Sequence, residues 1–372
     1  MSTRTLMMIA MLALAGGAAP VGAAVPSLDS ARDALAGVAR SAGLAGEVVI
    51  SDRDGMTSDA VFGLGDRTAG RPHVAGQRWL WASVTKQVTA TLVLQEIERG
   101  HIVLDAPVGQ YLPDFKGNTA ITIRQLIQHR SGLPNPSNTA ADADDIQRFY
   151  REMGGGIADT ARAAGFCAGP ATRPPGGDFE YNNCDYLVLG AVLKTVTGKS
   201  FEQLVANQIA RPLGLRTLRL APDRAVRGGA SAIGYDGEKP YPALNVRTFG
   251  ASGALTGSAR DLAAFDRALM TGKLLSPATL AMAWSGDPKL GYEALGVWAF
   301  PARLKGCVSP VRLVERRGDV GGTQVRNVIA PDLGRVVVVF TNDAALDFGE
   351  VWQGKGLTHD LLAAAFCPTS TN

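Results

Sequence analysis

Strand-like segments lie near both ends of this 372-residue chain, and helical segments fill its middle. Near the N-terminus, apolar patterns around an Asp-Gly turn predict two strands, over residues 47–52 and 59–65. Near the C-terminus, segments rich in Val and Ile predict three more, over 311–315, 323–330 and 335–341. Because strands and helices bury their apolar faces against each other, this order predicts an α+β fold. We expect one antiparallel sheet built from both chain ends, with flanking helices and an inserted helical lobe.

The segments between these strands have the period of amphipathic helices. Gly100 and Gly132 mark predicted helix ends, because glycine suits the left-handed position that follows many helices. Helices are predicted over 26–43, 84–99, 184–197 and about 355–366, and others begin at the capping residues Thr122, Ser200 and Ser258. With 46% hydrophobic residues and no repeats, the chain can bury a large core, in one domain or in two closely packed lobes.

Residues 1–24 have the pattern of a secretory signal peptide. Arg4 supplies the positive charge, residues 6–19 form an apolar run, and small residues precede Ala24. The alternative is a retained membrane anchor, but the apolar run is short for a span of about 20 residues. We therefore expect residues 25–372 to form an exported protein, periplasmic or secreted, that has no membrane contact once the signal is removed.

Export gives the four cysteines a structural interpretation. An even number of cysteines in an oxidising compartment predicts disulfides, and four cysteines allow three pairings. Sequence proximity favours Cys167–Cys184, which leaves Cys307–Cys367 as the second pair. Buried free thiols are the alternative.

Charge and composition argue against several classes of function. The net charge of +3 is small and no basic run is present, so we expect no nucleic-acid partner. The cysteines do not have zinc-site spacing, and the histidines lack a His-Glu-x-x-His pattern. We therefore predict no metal and no organic cofactor.

A serine and a lysine three residues apart open the predicted helix 84–99. Ser83 and Lys86 lie on the same helix face, so Lys86 can accept the proton of Ser83 if burial or a nearby cation lowers the pKa of the lysine. The pattern alone is weak, because about one chance match is expected in a chain of this size. Alternatively, Ser83 is a helix cap and Lys86 is an exposed lysine.

The chain resembles the serine β-lactamase and penicillin-binding-protein-like hydrolases, in particular class C β-lactamases and their esterase and D-peptidase relatives. The resemblance runs from about residue 45 to the C-terminus, and several motifs occur in the family's order. They are residues 82–86 (Ala-Ser-Val-Thr-Lys), 104–108, 123–134 (Ile-Arg-Gln-Leu-Ile-Gln-His-Arg-Ser-Gly-Leu-Pro), 181–183 (Tyr-Asn-Asn), 211–215 and 258–262. The family fold agrees with the α+β arrangement predicted above.

The resemblance implies a role for four residues. Ser83 would be the nucleophile and Lys86 its proton acceptor, while Tyr181 would share the proton transfer and protonate the leaving group. A phenol has a pKa of about 10, so this role needs adjacent cations. Asn183 would hold Lys86 and the substrate amide. Alternatively, Tyr181 belongs to an ordinary turn and Asn183 caps the helix that follows.

The family's third motif, a Lys-Thr-Gly or His-x-Gly on an edge strand, is altered here. Counting back fifteen residues from Pro331 places Arg316 at the position of the family cation, followed by Gly318. Asp319 would then supply the second backbone N–H of the oxyanion hole. Arginine can bind a carboxylate through two hydrogen bonds but cannot act as a base. A rival register puts residues 319–321 (Asp-Val-Gly) at the motif and leaves no cation.

These features predict a serine hydrolase that acts through an acyl-enzyme on a small-molecule or peptide substrate. The substrate would be a carboxylic ester, a D-amino-acid peptide or amide, or a β-lactam, and the altered third motif makes efficient β-lactam turnover less expected. One alternative is a non-catalytic peptide- or cell-wall-binding protein on the same fold. Another is a Ser-His-Asp hydrolase, although the nearest elbow-like string, residues 250–254, lacks the final glycine. The sequence does not predict the oligomeric state.

Overall fold

The computed structural model describes residues 25–154, 158–227 and 231–367. The predicted signal peptide lies outside these residues. In the described part of the chain the strands are β1 (Gly46–Asp52), β2 (Thr57–Phe62), β3 (Leu64–Asp66), β4 (Arg71–Pro72), β5 (Trp79–Leu80), β6 (Arg219–Leu220), β7 (Tyr235–Asp236), β8 (Lys239–Pro240), β9 (Leu255–Gly257), β10 (Trp298–Ala302), β11 (Val311–Val320), β12 (Thr323–Ala330) and β13 (Arg335–Thr341).

The same residues form helices of very different lengths. They are α1 (Leu28–Ser41), α2 (Thr85–Glu98), α3 (Ile123–Ile127), α4 (Asp159–Ala164), α5 (Asn183–Thr197), α6 (Phe201–Leu204), α7 (Arg211–Leu213), α8 (Gly250–Gly253), α9 (Ala259–Met270), α10 (Pro277–Ala283) and α11 (Leu357–Phe366). The predicted capping box at Thr122 is present, and Gly100 follows α2 in the left-handed conformation, with φ 75°. The long predicted helices are confirmed to within a few residues.

The six longest strands form one antiparallel sheet in the order β10-β11-β12-β13-β1-β2. The N-terminal hairpin β1–β2 pairs with the last strand, β13, so the sheet joins both ends of the chain. Helices α2 to α8 and their loops come from the segment between the two halves of the sheet. This arrangement confirms the predicted fold class.

Strand β13 is buried along its whole length because helices cover both faces of the sheet. Val336 and Val338 belong to the core shared with α9 and the helical lobe, whereas Val337 and Val339 belong to a second core beneath α1 and α11. Side chains alternate between the two faces of a strand, so a run of valines suits a strand that is covered on both sides.

Two strand boundaries differ from the prediction. The segment predicted over 59–65 begins at Thr57 and breaks at Gly63, whose φ of 68° interrupts the strand. Strand β11 continues past residue 315 to Val320, because residues 314–320 pair with β12. Gly321 and Gly322, both with positive φ, make the two-residue turn between these strands. The polar residues 316–319 gave no strand pattern of their own.

The structure contains both predicted disulfides, Cys167–Cys184 and Cys307–Cys367. The first joins the loop before Tyr181 to the beginning of α5, and the second joins the loop after β10 to the end of α11. Among the described residues, none of the helices has the length and apolar character needed to span a bilayer.

Candidate active site

Ser83 lies in a single 3₁₀ turn, Ala82–Val84, that leads directly into α2. Ala82 has φ 47°, which is uncommon for a residue with a side chain and is often found at functional sites. A hydrogen bond from Trp81 N–H to Leu255 O at 2.9 Å anchors the turn to β9. The turn therefore presents Ser83 at the N-terminal end of a 14-residue helix, where the helix dipole favours negative charge.

The amino group of Lys86 is fully buried beside Ser83. Its Nζ lies 3.2 Å from Ser83 Oγ, and it donates to Asn183 Oδ1 at 2.8 Å and to the backbone carbonyl of Ser252 at 2.8 Å. Burial lowers the pKa of Lys86 well below its usual value, and the nearby guanidinium of Arg316 lowers it further. A buried lysine with this pKa direction can act as a general base.

Tyr181 shares a hydrogen bond between its hydroxyl and Ser83 Oγ. The Nζ of Lys86 lies 4.6 Å from the centre of its ring. Burial raises the pKa of Tyr181, and the Arg316 cation only partly opposes this effect. The phenol therefore keeps its proton at neutral pH, which favours Lys86 over Tyr181 as the initial base.

Asn183 is oriented by its neighbours, so that its amide oxygen faces Lys86. Asn182 is the N-cap of α5 and accepts a hydrogen bond from Cys184 N–H at 2.8 Å, so the side chain of Asn183 does not cap the helix. The Nδ2 of Asn183 donates to Tyr150 Oη at 3.0 Å and to Ser137 Oγ at 3.3 Å. The interpretation of Asn183 as the helix cap is therefore wrong. Sequence reasoning missed Tyr150 and Ser137, which lie in two short 3₁₀ turns without a recognisable motif.

The structure places Arg316 next to Ser83 but inside the protein. Its side chain is 0% exposed, and its Nε donates to the backbone carbonyl of Ser83 at 3.3 Å. Its Nη1 lies 3.6 Å from Glu293 Oε1, and its Nη2 lies 3.4 Å from His129 Nε2. Arg316 thus lies beside the nucleophile, but in this conformation it presents no surface to a substrate.

Gly318 lets β11 approach the nucleophile closely. A Cβ atom at this position would lie 2.6 Å from the backbone nitrogen of Ser83, so only glycine fits. Strand β10 pairs with β11 only as far as Glu315, which leaves the next residues of β11 on an open edge. Gly321, the glycine of the rival register, lies in the hairpin turn instead. The exposed residue Asp319 follows Gly318.

A second layer of buried polar side chains supports these residues. His129 Nδ1 accepts a hydrogen bond from Asn182 N–H at 3.1 Å and lies 3.3 Å from Asp185 Oδ2. The other carboxylate oxygen of Asp185 bonds the hydroxyl of Ser131. Burial raises the pKa of Asp185 well above its usual range and lowers that of His129. His129 and Ser131 lie within the motif at 123–134, whereas Asp185 and Glu293 gave no signal in the sequence.

The Ser-His-Asp alternative does not match the local structure. Ser252 lies in the buried helix α8, and its hydroxyl donates to the carbonyl of Phe249 at 2.6 Å rather than to a histidine.

Among the residues that the structure describes, no group of three or more His, Cys, Asp or Glu side chains could hold a metal ion. The candidate active site consists of Ser83, Lys86, Tyr181 and Asn183, which contact one another directly.

Comparisons with known proteins give one family and several named relatives. The sequence profile of the family described as Beta-lactamase matches residues 29–355. A D-aminopeptidase of Cereibacter sphaeroides (strain ATCC 17029 / ATH 2.4.9) is 29% identical over 246 residues, which are 64% of this chain and 45% of that protein. The esterase EstB of Burkholderia gladioli is 33% identical over 215 residues, which are 54% of this chain and 52% of that protein. The chain thus spans about half the length of these relatives.

Solved structures share the fold. A D-stereospecific amidohydrolase from Streptomyces sp. superposes with a TM-score of 0.71 at 24% sequence identity, covering 93% of this chain and 100% of that chain. At this level of identity, the likeness concerns the arrangement of the sheet and helices. The chemistry has to be argued from the residues around Ser83.

Proposed function

Because the chain belongs to the Beta-lactamase family, we propose that it is an exported serine hydrolase that cleaves an ester or amide through an acyl-enzyme. The observation that carries this proposal is the contact of Ser83 Oγ with both the Lys86 amine and the Tyr181 hydroxyl. A nucleophile within hydrogen-bond reach of a base that is itself held in place is the arrangement needed for covalent catalysis.

In the acylation step, Lys86 accepts the Ser83 proton as Oγ attacks the substrate carbonyl carbon. A bond forms between Oγ and this carbon, and the carbonyl π electrons move to the oxygen. The proton on Lys86 then passes through the Tyr181 hydroxyl to the departing nitrogen or oxygen as its bond to carbon breaks. Tyr181 suits this relay because burial raises its pKa and keeps the phenol protonated.

The negative charge on the substrate oxygen needs hydrogen-bond donors that are already in position. The backbone N–H of Ser83 is one candidate, and the N–H of Asp319 is the other. The close approach of Gly318 to Ser83 N supports this assignment, because it brings the next residue of β11 to the same side of the nucleophile. In the deacylation step, water replaces the leaving group, Lys86 accepts a proton from it, and Ser83 Oγ recovers its proton when the acyl group departs.

The names of the relatives favour esters and D-amino-acid amides as substrates. One relative is called a D-aminopeptidase and another an esterase, and both match this chain over about half of their length. Because Arg316 is fully buried, it does not offer a cation to a substrate carboxylate. β-Lactams and other carboxylate-bearing substrates are therefore less favoured. Export is supported by the signal-like pattern of residues 1–24 and by the two disulfides, which persist in oxidising compartments.

A substrate panel on the purified protein beginning at residue 25 tests this proposal. The panel contains neutral carboxylic esters, D- and L-amino-acid amides, a D-alanyl peptide and a penicillin, each paired with intact-mass detection of acyl adducts. We expect turnover of esters or D-amino-acid amides and an adduct on Ser83. If no compound is hydrolysed and no adduct forms, the alternative of a binding protein on this fold is favoured.

A further inference from the structure

Arg316 and Glu293 form a buried pair of opposite charges behind the nucleophile. Both side chains are 0% exposed, and the nearest atoms, Nη1 and Oε1, are 3.6 Å apart. Neither carboxylate oxygen of Glu293 has a hydrogen-bond partner in the described part of the chain, and neither does Nη1 of Arg316. Burial raises the pKa of Glu293, and the cations of Arg316 and Lys86 oppose this shift and favour the carboxylate, so charge rather than hydrogen bonding holds the pair. A buried guanidinium without its counter-charge would be strongly unfavourable.

The loop that carries Glu293 is fixed against the catalytic helices. Its turn is closed by a hydrogen bond from Ala294 N–H to Val297 O at 2.8 Å. Gly296, with φ 84°, packs so closely that a Cβ atom would lie 2.5 Å from the side chain of Ala90 in α2. The backbone next to Glu293 is therefore held in place against α2, and the carboxylate provides a counter-charge for the guanidinium inside the protein.

The second arginine of the β11 edge is neutralised in the same way. Arg317 points to the opposite face of the sheet, because side chains alternate along a strand. Its guanidinium is paired with Glu350 and lies 5.2 Å from the ring centre of Trp298 and 5.1 Å from that of Trp352. Asp319 is exposed on this edge, and although its surroundings raise the pKa of its carboxyl to about 6, the group is ionised at neutral pH. An edge with this charge pattern does not attract an anionic substrate.

We propose that Glu293 is a positioning residue that retains Arg316 inside the protein, so that the site selects esters and amides without a carboxylate beside the scissile bond. This inference rests on the proposed hydrolase function and names its substrate class. Besides Arg316, the titratable groups that face Glu293 are Lys86 from α2 and Tyr181 and Tyr186 around the start of α5. In that arrangement the guanidinium acts on the substrate only through Ser83 and the proton-transfer residues.

Two substrates that differ only in a carboxylate test this inference. 3-Methylphenyl acetate is neutral, and 3-acetoxybenzoate carries a carboxylate in place of the methyl group on the same type of leaving group. We expect the natural protein to have a kcat/KM about tenfold or more higher for the neutral ester. Glu293→Ala should reduce this ratio about tenfold, chiefly through a lower KM for the anionic ester. The reason is that Arg316 without its counter-charge moves towards the cleft and binds the substrate carboxylate. Tenfold corresponds to about 1.4 kcal/mol, the scale of one charge-assisted hydrogen bond.

The double variant Glu293→Ala/Arg316→Met is the control for a general loosening of the site. It lacks the released cation, so the preference for the neutral ester should return. Glu293→Gln keeps the shape of the side chain and should narrow the ratio in the same direction, which provides a second measurement if the alanine variant does not fold. If both single variants lose activity on the two esters in equal proportion, or if the ratio does not change, Glu293 does not set this preference.

The outcome also separates this inference from the function on which it rests. If the natural protein hydrolyses the neutral ester with a Ser83 adduct and the variants leave the ratio unchanged, only the role of Glu293 is wrong. If the natural protein hydrolyses neither ester and a fluorophosphonate does not label Ser83, both proposals are overturned.

Discussion

The backbone carbonyl of Ser252 accepts a hydrogen bond from the buried Nζ of Lys86 at 2.8 Å. Asn183 Oδ1 accepts a second hydrogen bond from the same atom at 2.8 Å. A neutral lysine has two N–H donors and one lone pair, so these two acceptors direct the lone pair towards Ser83 Oγ, 3.2 Å away. The environment of Lys86 thus both favours the neutral amine and aims it at the proton that it has to remove.

Removal of this base should slow acylation. A fluorophosphonate should add mass at Ser83, and Ser83→Ala should lose the adduct. Lys86→Ala and Tyr181→Phe should each reduce the acylation rate by about 10²-fold or more, the scale of a lost general acid–base group. Lys194→Ala is the matched control, because this exposed lysine of α5 lies outside the site, and its labelling rate should not change. Persistent labelling of Ser83→Ala would show that another residue is the nucleophile.

A smaller effect is expected at Tyr150, which positions Asn183. The Tyr150 hydroxyl accepts a hydrogen bond from Asn183 Nδ2 at 3.0 Å and pairs with Ser137 Oγ at 2.9 Å. Tyr150→Phe removes one neutral hydrogen bond and should lower kcat about 2- to 10-fold, in line with a loss of about 0.5–1.5 kcal/mol. Steady-state kinetics with a neutral ester provide the measurement. A change confined to KM would mean that Tyr150 contacts the substrate rather than orienting Asn183.

Much of the fold and the centre of the site could be predicted from the sequence because their signals are local. Ser83 and Lys86 lie one turn apart at the start of a helix, and that spacing places their side chains on one face, where Oγ and Nζ are 3.2 Å apart. The valines of β13 reveal a buried strand. The pairing of Cys167 with Cys184 follows from their short separation of 17 residues.

The remaining features depend on contacts between distant segments, which no local pattern records. Glu293 is an isolated acid in a loop, and its pairing with Arg316 arises only when that loop packs against the sheet. The burial of Arg316 itself could not be read from Arg316-Arg317-Gly318, since the two arginines point to opposite faces of β11. Strand β11 was predicted too short for the same reason. Residues 316–320 are in a strand because they pair with β12, and their own sequence has no strand pattern.

The pH dependence of catalysis should follow the environment of Lys86. The base works only when it is neutral, so a lowered pKa extends activity to lower pH. Arg316→Met removes a cation that lowers the pKa of Lys86. The pKa of Lys86 should therefore rise in this variant, and the acid limb of the pH profile of kcat/KM should move to higher pH. Arg317→Met, on the other face of β11, is the control and should leave the limb in place. An unmoved limb in Arg316→Met would assign it to another group.

Loss of either disulfide should destabilise the protein, and the longer loop should matter more. In the chain-entropy estimate, a loop closed over 17 residues stabilises by about 3 kcal/mol and one closed over 60 residues by about 4 kcal/mol. Cys307→Ser/Cys367→Ser should therefore unfold at lower urea concentration than Cys167→Ser/Cys184→Ser. Activity is expected to respond in the opposite order, because Cys184 lies beside Asn183 and fixes the start of α5. Equal midpoints for the two double variants would contradict the loop-length argument.

A buried carboxyl away from the active site should make stability depend on pH. Asp266 in α9 is fully buried, accepts a hydrogen bond from Gln87 Nε2 at 2.9 Å, and has its pKa raised by burial to about 8. The folded state therefore keeps a proton that the unfolded chain loses above about pH 4. The contribution of Asp266 to the free energy of unfolding is fully present below the pKa that its carboxyl has in the unfolded chain. It is lost as the pH rises towards 8, by up to about 1.4 kcal/mol per pH unit.

Replacement of this carboxyl by a neutral amide should remove its share of the pH dependence. Asp266→Asn keeps an oxygen for Gln87 and supplies N–H donors in place of the unpaired Oδ2. It should be more stable than the natural protein at pH 7–8 and about equal to it near pH 4. Urea unfolding at several pH values measures the difference, with the exposed residue Asp114 changed to Asn as the control. Asp185, another buried carboxyl with a raised pKa, contributes equally to the pH dependence of both proteins, so the difference in slope between them should not exceed that of one titrating proton. If the two unfolding curves stay parallel from pH 4 to 8, Asp266 is ionised in the folded protein and Gln87 and Asn327 stabilise its charge.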